Sequence, residues 1–221
     1  MSLSLIILIW FLKRKGLSIK FHNEYERNDL VSSTNRSEAR DLHISDYYIT
    51  PVNRIIDFLN EFNKHENVIK ENVRILDCSA GGDKEHSMSY PEALKTFGCS
   101  DITTIDIRED SLADIKGNYL DIDCKGKYDV IITNPPFNIS RSIIDKALDD
   151  VSEGYVIMLL RLNYLGGKVR KDLWESHMPK YIFTYSRRLS FTDDGKTDSV
   201  EYAHYVWKKG ENPEFSLLKV I

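Results

Sequence analysis

The sequence has few cysteines, and they lie far apart. Cys78, Cys99 and Cys124 are the only three in 221 residues, and none belongs to a Cys-x-x-Cys pair. An odd, widely spaced set predicts neither a disulfide framework nor a zinc site. We therefore expect a cytoplasmic protein, kept under reducing conditions, that holds no metal.

Long hydrophobic runs are also missing. The longest is Leu3–Leu12, LSLIILIWFL, whereas a helix that spans a bilayer needs about 20 apolar residues. Positive charge follows this run at Lys13–Lys15, while a secretory signal carries its positive charge first. A packed terminal helix or strand, or an extended translation start, is favoured over a shallow membrane contact. We expect no membrane contact by residues 1–15.

An excess of positive charge is absent as well. Lys and Arg number 30 against 34 Asp and Glu, so the formal net charge is −4. Any polyanion must therefore be bound by a local basic patch rather than by the protein as a whole. The hydrophobic content of 42% is typical of a soluble globular protein. We predict an irregular arm over residues 1–45, one domain over 46–210 and a tail over 211–221.

What the sequence does contain is an alternation of short apolar runs with helical stretches. Helical spacing follows Pro51, and further helices are predicted at 91–97 and 140–149. Strands are predicted at Val73–Asp77, Ile102–Ile107, Tyr128–Thr133, Tyr155–Leu160, Tyr181–Tyr185 and Val200–Trp207. This order is typical of a parallel sheet covered on both faces, and the last two strands predict a hairpin. The predicted fold class is therefore α/β, a single-domain doubly wound and mostly parallel sheet with a C-terminal antiparallel edge hairpin.

Two of the predicted strands end in residues suited to a ligand. The turn Asp77–Asp83, DCSAGGD, follows the first strand, and Asp106 ends the next one. Glycines after a strand let the backbone approach a ligand closely. An acid about 20 to 30 residues further on is placed to accept hydrogen bonds from the ribose hydroxyls of a nucleotide-type ligand. A simple tight turn and an exposed strand-end carboxylate are the alternatives.

A third strand end carries the tetrapeptide Asn134-Pro135-Pro136-Phe137. Two prolines fix the backbone and remove two N–H donors. The asparagine adds an amide oxygen that accepts hydrogen bonds, and the phenylalanine adds a flat apolar face. The loop is thus suited to accept hydrogen bonds from a planar amino group and to stack on its ring.

Asn134–Phe137 resembles the catalytic signature of amino-group methyltransferases. The turn Asp77–Gly82 resembles their methyl-donor motif, and Asp106 resembles their ribose-binding acid. Asp46–Pro51 resembles the segment that closes over the donor in DNA adenine methyltransferases. Residues 159–207 resemble small phage-type DNA N6-adenine methyltransferases, so the resemblance extends from Ser45 to Gly210.

The resemblance implies a Rossmann-like methyltransferase fold and methyl transfer from S-adenosylmethionine to the exocyclic N6 of adenine in DNA, with S-adenosylhomocysteine as product. Asn134 and the Pro135 carbonyl would accept the amino protons, beside Pro136, while Phe137 stacks on the base. Asn118 lies where relatives often have an aspartate that binds the donor's adenine. The implied donor-binding residues are Tyr47, Thr50, Pro51, Asp77, Ser79, Ala80, Gly81, Asp106, Ile107, Asn118 and Tyr119.

Basic residues late in the sequence are candidates for phosphate contacts. They are Arg161, Lys168, Arg170, Lys171, Arg187 and Arg188. A solvated basic face is the alternative. The same chemistry on RNA or on a protein glutamine also stays open, as does a non-catalytic nucleic-acid-binding module. Cytosine C5 methylation is excluded, because it needs a cysteine nucleophile that typically follows a proline, and none of the three cysteines does.

Overall fold

The computed structural model describes residues 48–192 and 195–221, whose centre is an eight-stranded sheet. The predicted N-terminal arm and Tyr47 lie outside the described residues. The strands are β1 Ile75–Asp77, β2 Ile102–Asp106, β3 Ile115–Lys116, β4 Val130–Thr133, β5 Tyr155–Arg161, β6 Tyr181–Thr184, β7 Tyr202–Lys208 and β8 Leu217–Val220. The helices are α1 Val52–Glu66, α2 Ser89–Lys95, α3 Ser140–Asp150 and α4 Lys171–Ser176, with short 3-10 helices at Tyr119–Asp121, Leu162–Leu165 and Lys168–Arg170.

The strand order is β3-β2-β1-β4-β5-β7-β6-β8. Strands β1 to β5 run parallel to one another, and β7 is antiparallel to both β5 and β6. From β1 the chain builds outward to β2 and β3, and it then returns to place β4 on the other side of β1. The order of the strands therefore reverses between β1 and β4, which is where ligands bind in open α/β sheets.

Side chains alternate between the two faces of the sheet and form a core on each. Along β4, Val130 and Ile132 belong to one hydrophobic cluster, whereas Ile131 between them belongs to the other. Helices α1 and α2 cover the first face, and α3 and α4 cover the second. Because both faces are covered, the central strands are continuous apolar runs, as the sequence analysis expects of a parallel sheet.

Helix α1 shows how the sequence determines the local structure. Pro51 precedes it with φ −60°, a value that suits a helix start. Ile55, Phe58 and Phe62 are fully buried at helical spacing, and Asn67 ends the helix in the left-handed region at φ 47°. The helix predicted after Pro51 is therefore confirmed.

The predicted fold class is confirmed, but the C-terminal end differs in two respects. Neither hairpin strand lies at the edge, because β7 lies between β5 and β6, and β8 covers β6 in parallel. Strand β8 falls within the residues that the sequence analysis set apart as a tail. Its sequence, LLKV, is short and contains a lysine, and all four residues are exposed, so no alternation of buried and exposed positions indicates a strand. Backbone hydrogen bonds hold it, such as Leu217 N–H to the Lys180 carbonyl at 3.0 Å, together with the ion pair of Lys219 with Glu61.

The three cysteines are buried free thiols. In the part of the chain that the structure describes, no three His, Cys, Asp or Glu side chains are grouped in a way that could hold a metal ion. No helix of that part has the length and apolar composition to cross a membrane.

Candidate active site

A cleft opens at the carboxyl ends of β1, β2 and β4, where the strand order reverses. Its empty space is ≈ 820 Å³, a figure that includes the solvent at its mouth. Most of the residues implied by the resemblance line it: Thr50, Ser79, Ala80, Gly81, Asp106, Ile107, Asn118, Tyr119, Asn134, Pro135 and Pro136. Pro51, Asp77 and Phe137 do not.

The glycine turn after β1 has a backbone conformation that other residues rarely adopt. Gly81 has φ +64° and Gly82 has φ +72°. A Cβ atom on Gly82 would lie 2.6 Å from the Met88 Cγ. The turn is also tied to β2, because Ala80 N–H donates to the Ile105 carbonyl at 3.0 Å. Glycine is therefore needed here both for backbone conformation and for space.

Asp106 is the second contact between the turn and β2. Its Oδ2 accepts a hydrogen bond from Gly81 N–H at 2.7 Å, and its Oδ1 accepts one from Arg108 N–H at 2.9 Å. The residue is buried, yet it lines the cleft. Each carboxylate oxygen has two lone pairs, so both oxygens can still accept from hydroxyls of a ligand.

Asp77, the last residue of β1, is fully buried beneath the cleft. Its Oδ1 accepts from Ser79 N–H at 3.3 Å. Burial is the main reason that the pKa of Asp77 is raised to about 7, because the charged form loses its solvation. A cationic group of a ligand close to Asp77 would favour the ionised form.

The Asn134 side chain is held from one side and leaves an acceptor on the other. Its Nδ2 donates to the Thr50 hydroxyl at 3.1 Å, which fixes the amide plane. Its Oδ1 is buried and has no hydrogen-bond partner among the described residues. Buried polar atoms are almost always paired, so an unpaired one needs an explanation. A donor group of a bound molecule would supply that pairing.

Phe137 lies outside the cleft in this structure. Its ring centre is 5.6 Å from that of Tyr48 and 5.9 Å from that of Tyr202. The guanidinium carbon of Arg161 is 4.4 Å from the centre of the ring. One face of Phe137 is therefore covered by a cationic group.

Two other predicted residues make local contacts at the cleft. The Asn118 Oδ1 accepts from Leu120 N–H at 3.2 Å, and its Nδ2 donates to Asp121 at 2.9 Å. Asn118 therefore caps the 3-10 helix that follows it. Ile107 is 64% exposed, so it offers an apolar side chain to a flat ligand ring.

The six predicted phosphate-binding residues fall into two groups. Four have partners within the protein: Arg161 covers Phe137, Arg170 donates to the Tyr164 carbonyl at 2.8 Å, Lys171 pairs with Glu175, and Arg188 pairs with Glu201. Lys168 and Arg187 are exposed and have no ion-pair partner in the described residues. Phosphate binding stays a prediction for all six.

Sequence analysis gave no role to Tyr90, which lines the cleft and starts a buried hydrogen-bond chain. The Tyr90 hydroxyl lies 2.9 Å from Nε2 of His204, and the His204 Nδ1 lies 3.0 Å from the Tyr185 hydroxyl. Tyr185 donates to the Arg54 carbonyl at 2.8 Å, so it must accept from Nδ1–H. Nε2 then accepts from Tyr90. In the sequence, the histidine in the apolar run YAHYVW was the signal that could have indicated this buried hydrogen-bond network.

Burial keeps the imidazole of this chain neutral. His204 is fully buried, its ring stacks on Phe58 at 3.9 Å, and burial lowers the pKa of His204 to about 3. Burial likewise raises the pKa of Tyr90 well above its ordinary value. Both side chains are therefore uncharged at neutral pH. Their hydrogen bond joins α2 to β7.

Solved structures with a similar fold include proteins described as methyltransferases, and also one described as a candidate hemolysin from Lactococcus lactis, with a TM-score of 0.54 at 11% identity over 78% of this chain and 94% of that one. A candidate class I S-adenosylmethionine-dependent methyltransferase from Listeria monocytogenes has a TM-score of 0.53 at 12% identity, over 97% of this chain and 71% of that one. A candidate RNA methyltransferase from Pyrococcus horikoshii has a TM-score of 0.56 at 16% identity, over 73% and 86%. The M protein of the type I restriction enzyme EcoKI has a TM-score of 0.51 at 15% identity, over 80% and 47%.

At these identities the similarity shows the fold alone, which is the Rossmann-like fold of class I methyltransferases. No protein-family model matches the sequence, and no curated protein matches it either.

Proposed function

We propose that this protein transfers a methyl group from S-adenosylmethionine to an exocyclic amino nitrogen, with adenine N6 in DNA as the substrate. The observation that carries the proposal is the buried Oδ1 of Asn134, in the cleft at the strand-order reversal, which none of the described residues pairs with. An amino group that donates to this oxygen would supply the missing hydrogen bond.

The donor's part of the cleft is the glycine turn together with Asp106. Gly81 and Gly82 keep the backbone close to the ligand, and the Asp106 carboxylate accepts from its ribose hydroxyls. Ile107 offers an exposed apolar surface for the adenine ring. The buried carboxylate of Asp77 lies below the turn, on the side suited to a positively charged group of the donor.

The chemistry follows from the poor nucleophilicity of an aromatic amino group, whose lone pair is delocalised into the ring. Asn134 Oδ1 and the Pro135 carbonyl accept hydrogen bonds from its two N–H groups, which favours pyramidal geometry and localises the lone pair on nitrogen. After it takes the methyl group, the nitrogen releases one of these protons to solvent. When bound, S-adenosylmethionine supplies an electrophilic methyl group on a sulfonium. Positioning and electrostatics by the chain therefore account for most of the rate.

DNA is favoured as substrate by the resemblance of Asn134–Phe137 and residues 159–207 to DNA N6-adenine methyltransferases. The M protein of a restriction enzyme shares the fold. RNA is the second candidate, because a candidate RNA methyltransferase shares the fold as well. A base inside a duplex must be flipped out to reach the cleft, at a cost of a few kcal/mol.

The decisive variant is Asn134→Ala. We expect methyl transfer to fall by roughly 10²–10³-fold while donor binding is preserved, because the lost acceptor acts mainly in the transition state. The matched control is Asn138→Ala, which removes an exposed asparagine of the same loop and should leave the rate unchanged.

The assay supplies labelled donor with DNA, RNA or protein, and it is paired with sequencing for modified adenines after expression in a methylation-free host. Label in RNA or protein would replace the proposed substrate. Near wild-type transfer by Asn134→Ala would overturn the proposed chemistry.

A further inference from the structure

Arg161 lies at the same edge of the sheet as the Asn134–Phe137 loop. It is the last residue of β5, and β5 runs parallel beside β4, which the loop follows. Its guanidinium carbon lies over the Phe137 ring, 4.4 Å from the ring centre. A planar guanidinium at this distance covers an aromatic face in the way that a second ring would.

The hydrogen bonding of this arginine is incomplete. A guanidinium has five N–H donors, and the Arg161 side chain makes one long hydrogen bond in the described residues, from Nε to the Tyr202 hydroxyl at 3.5 Å. No carboxylate is within salt-bridge distance of it there. The nearby Asp198 instead accepts from Tyr202 at 2.8 Å.

Two other arginines that the structure describes show what a complete pairing looks like. Arg74 binds Asp129 through two of its nitrogens, and Arg141 binds Asp145 and Asp172. Arg161 is less exposed than an ordinary surface arginine, and charged groups that leave the solvent usually have a partner. An anionic partner for Arg161 is therefore to be expected in a bound molecule.

We infer that Arg161 covers Phe137 until a nucleic-acid substrate binds, and that its guanidinium then turns to a phosphate while the substrate base takes its place on the ring. A base and a guanidinium are both planar and stack at the same spacing, so they cannot share this face of Phe137. A phosphate offers the paired acceptors that match the unused N–H groups. This inference rests on the proposed function and makes Arg161 a positioning residue.

The inference favours nucleic acid over a protein glutamine as substrate. A glutamine side chain has neither a ring to replace the guanidinium nor a phosphate to receive it. A nucleotide has both, joined by one sugar. The displaced cation and the entering base would thus be exchanged in a single binding event.

The test is a scan of neutral phosphates. Oligonucleotides that contain the methylated sequence are made with a methylphosphonate at each position around the target adenine in turn, and their binding to the donor-saturated enzyme is measured. We expect wild type to lose about tenfold in affinity at one position, equivalent to 1.4 kcal/mol. Arg161→Met keeps an apolar cover on Phe137 without the charge, and it should be insensitive at that position.

Two controls separate a phosphate contact from a packing role. Arg161→Lys keeps the charge and should retain part of the sensitivity. Arg74→Met removes an exposed arginine at the opposite end of the sheet and should respond as wild type does. Equal responses of wild type and Arg161→Met at every position would overturn the inference.

The failure of the inference can be told apart from failure of the proposed function. If DNA is methylated and Asn134→Ala abolishes transfer, but the scan shows no difference, the inference alone falls. If label enters protein rather than nucleic acid, the substrate assignment and the inference both fall.

Discussion

The carboxylate of Asp106 accepts from two backbone N–H groups, and Asp106→Asn would take one of those acceptors away. The hydrogen bonds to Gly81 and Arg108 are 2.7 and 2.9 Å long. An asparagine has one oxygen and one NH₂ group, so one of the two N–H groups would face another donor. A hydrogen bond to a charged group contributes about 1.5–3 kcal/mol, and we expect the free energy of unfolding to fall by about that amount.

Donor binding should suffer by a separate route. The proposed ribose hydroxyls donate to the same carboxylate, and one of them would lose its charged acceptor. The same 1.5–3 kcal/mol corresponds to a weakening of about 10- to 150-fold in affinity. Isothermal titration with S-adenosylmethionine and with S-adenosylhomocysteine measures it directly, at a temperature well below unfolding.

The matched control is Asp114→Asn. Asp114 also accepts on one carboxylate oxygen from β2, from the Thr104 N–H at 2.9 Å and the Thr104 hydroxyl at 2.7 Å. It does not line the cleft. Asp114→Asn can keep both bonds on its one oxygen and should lose less free energy of unfolding than Asp106→Asn, and Asp106→Asn alone should bind the donor weakly. Unchanged affinity in folded Asp106→Asn, or an equal loss in Asp114→Asn, would refute the assignment.

Two further predictions concern stability. Gly82→Ala should lower the free energy of unfolding by about 1–3 kcal/mol, because its Cβ would lie 2.6 Å from Met88. The control is Gly126→Ala, where φ is +70° and no described atom lies within 4 Å of the added Cβ. It should cost less free energy of unfolding in the same thermal melt. If both variants lose the same free energy of unfolding, the contact with Met88 does not contribute to the cost.

The folded pKa of His204 is about 3, below its ordinary 6.5, so its contribution to stability is complete above pH 6.5 and is lost as the pH falls toward 3. Asp77 acts in the opposite direction, since its folded pKa of about 7 exceeds 3.8. Chemical denaturation should therefore show that His204→Asn loses less free energy of unfolding than wild type as the pH falls from 6.5 to 3.8. An identical pH dependence in the two proteins would contradict the assignment of His204 as a buried neutral imidazole.

The sheet was predictable because its central strands are apolar runs buried on both faces. Strand β8 was not, because its residues are all exposed, and it is attached by backbone hydrogen bonds to β6 and by the ion pair of Lys219 with Glu61. The position of Asn134 at a strand end followed from the sequence, but the freedom of its Oδ1 did not. The orientation of the amide depends on Thr50, which lies 84 residues away in the chain and accepts a hydrogen bond from the Asn134 Nδ2.

Long-range packing also decided what surrounds Phe137 and Tyr90. No local pattern indicates that Arg161 covers the phenylalanine, or that Tyr90 reaches a histidine 114 residues later in the chain. Such contacts depend on which strands become neighbours. The alternation of elements left the strand order undetermined, including the order of β7 and β6, and it did not indicate β3 or β8.

The placement of β7 has a consequence for how the chain folds. Tyr155 of β5 pairs with Lys208, and Arg161 pairs with Tyr202, so β5 keeps an open edge until a distant segment reaches it. Strand β6 precedes β7 in the chain but joins the sheet through it. Closing such long loops is slow. Strands β1 to β5 can assemble first, whereas Tyr202 and His204, which support Phe137 and Tyr90, arrive with β7. We therefore expect the walls of the cleft to become rigid in a late step of folding.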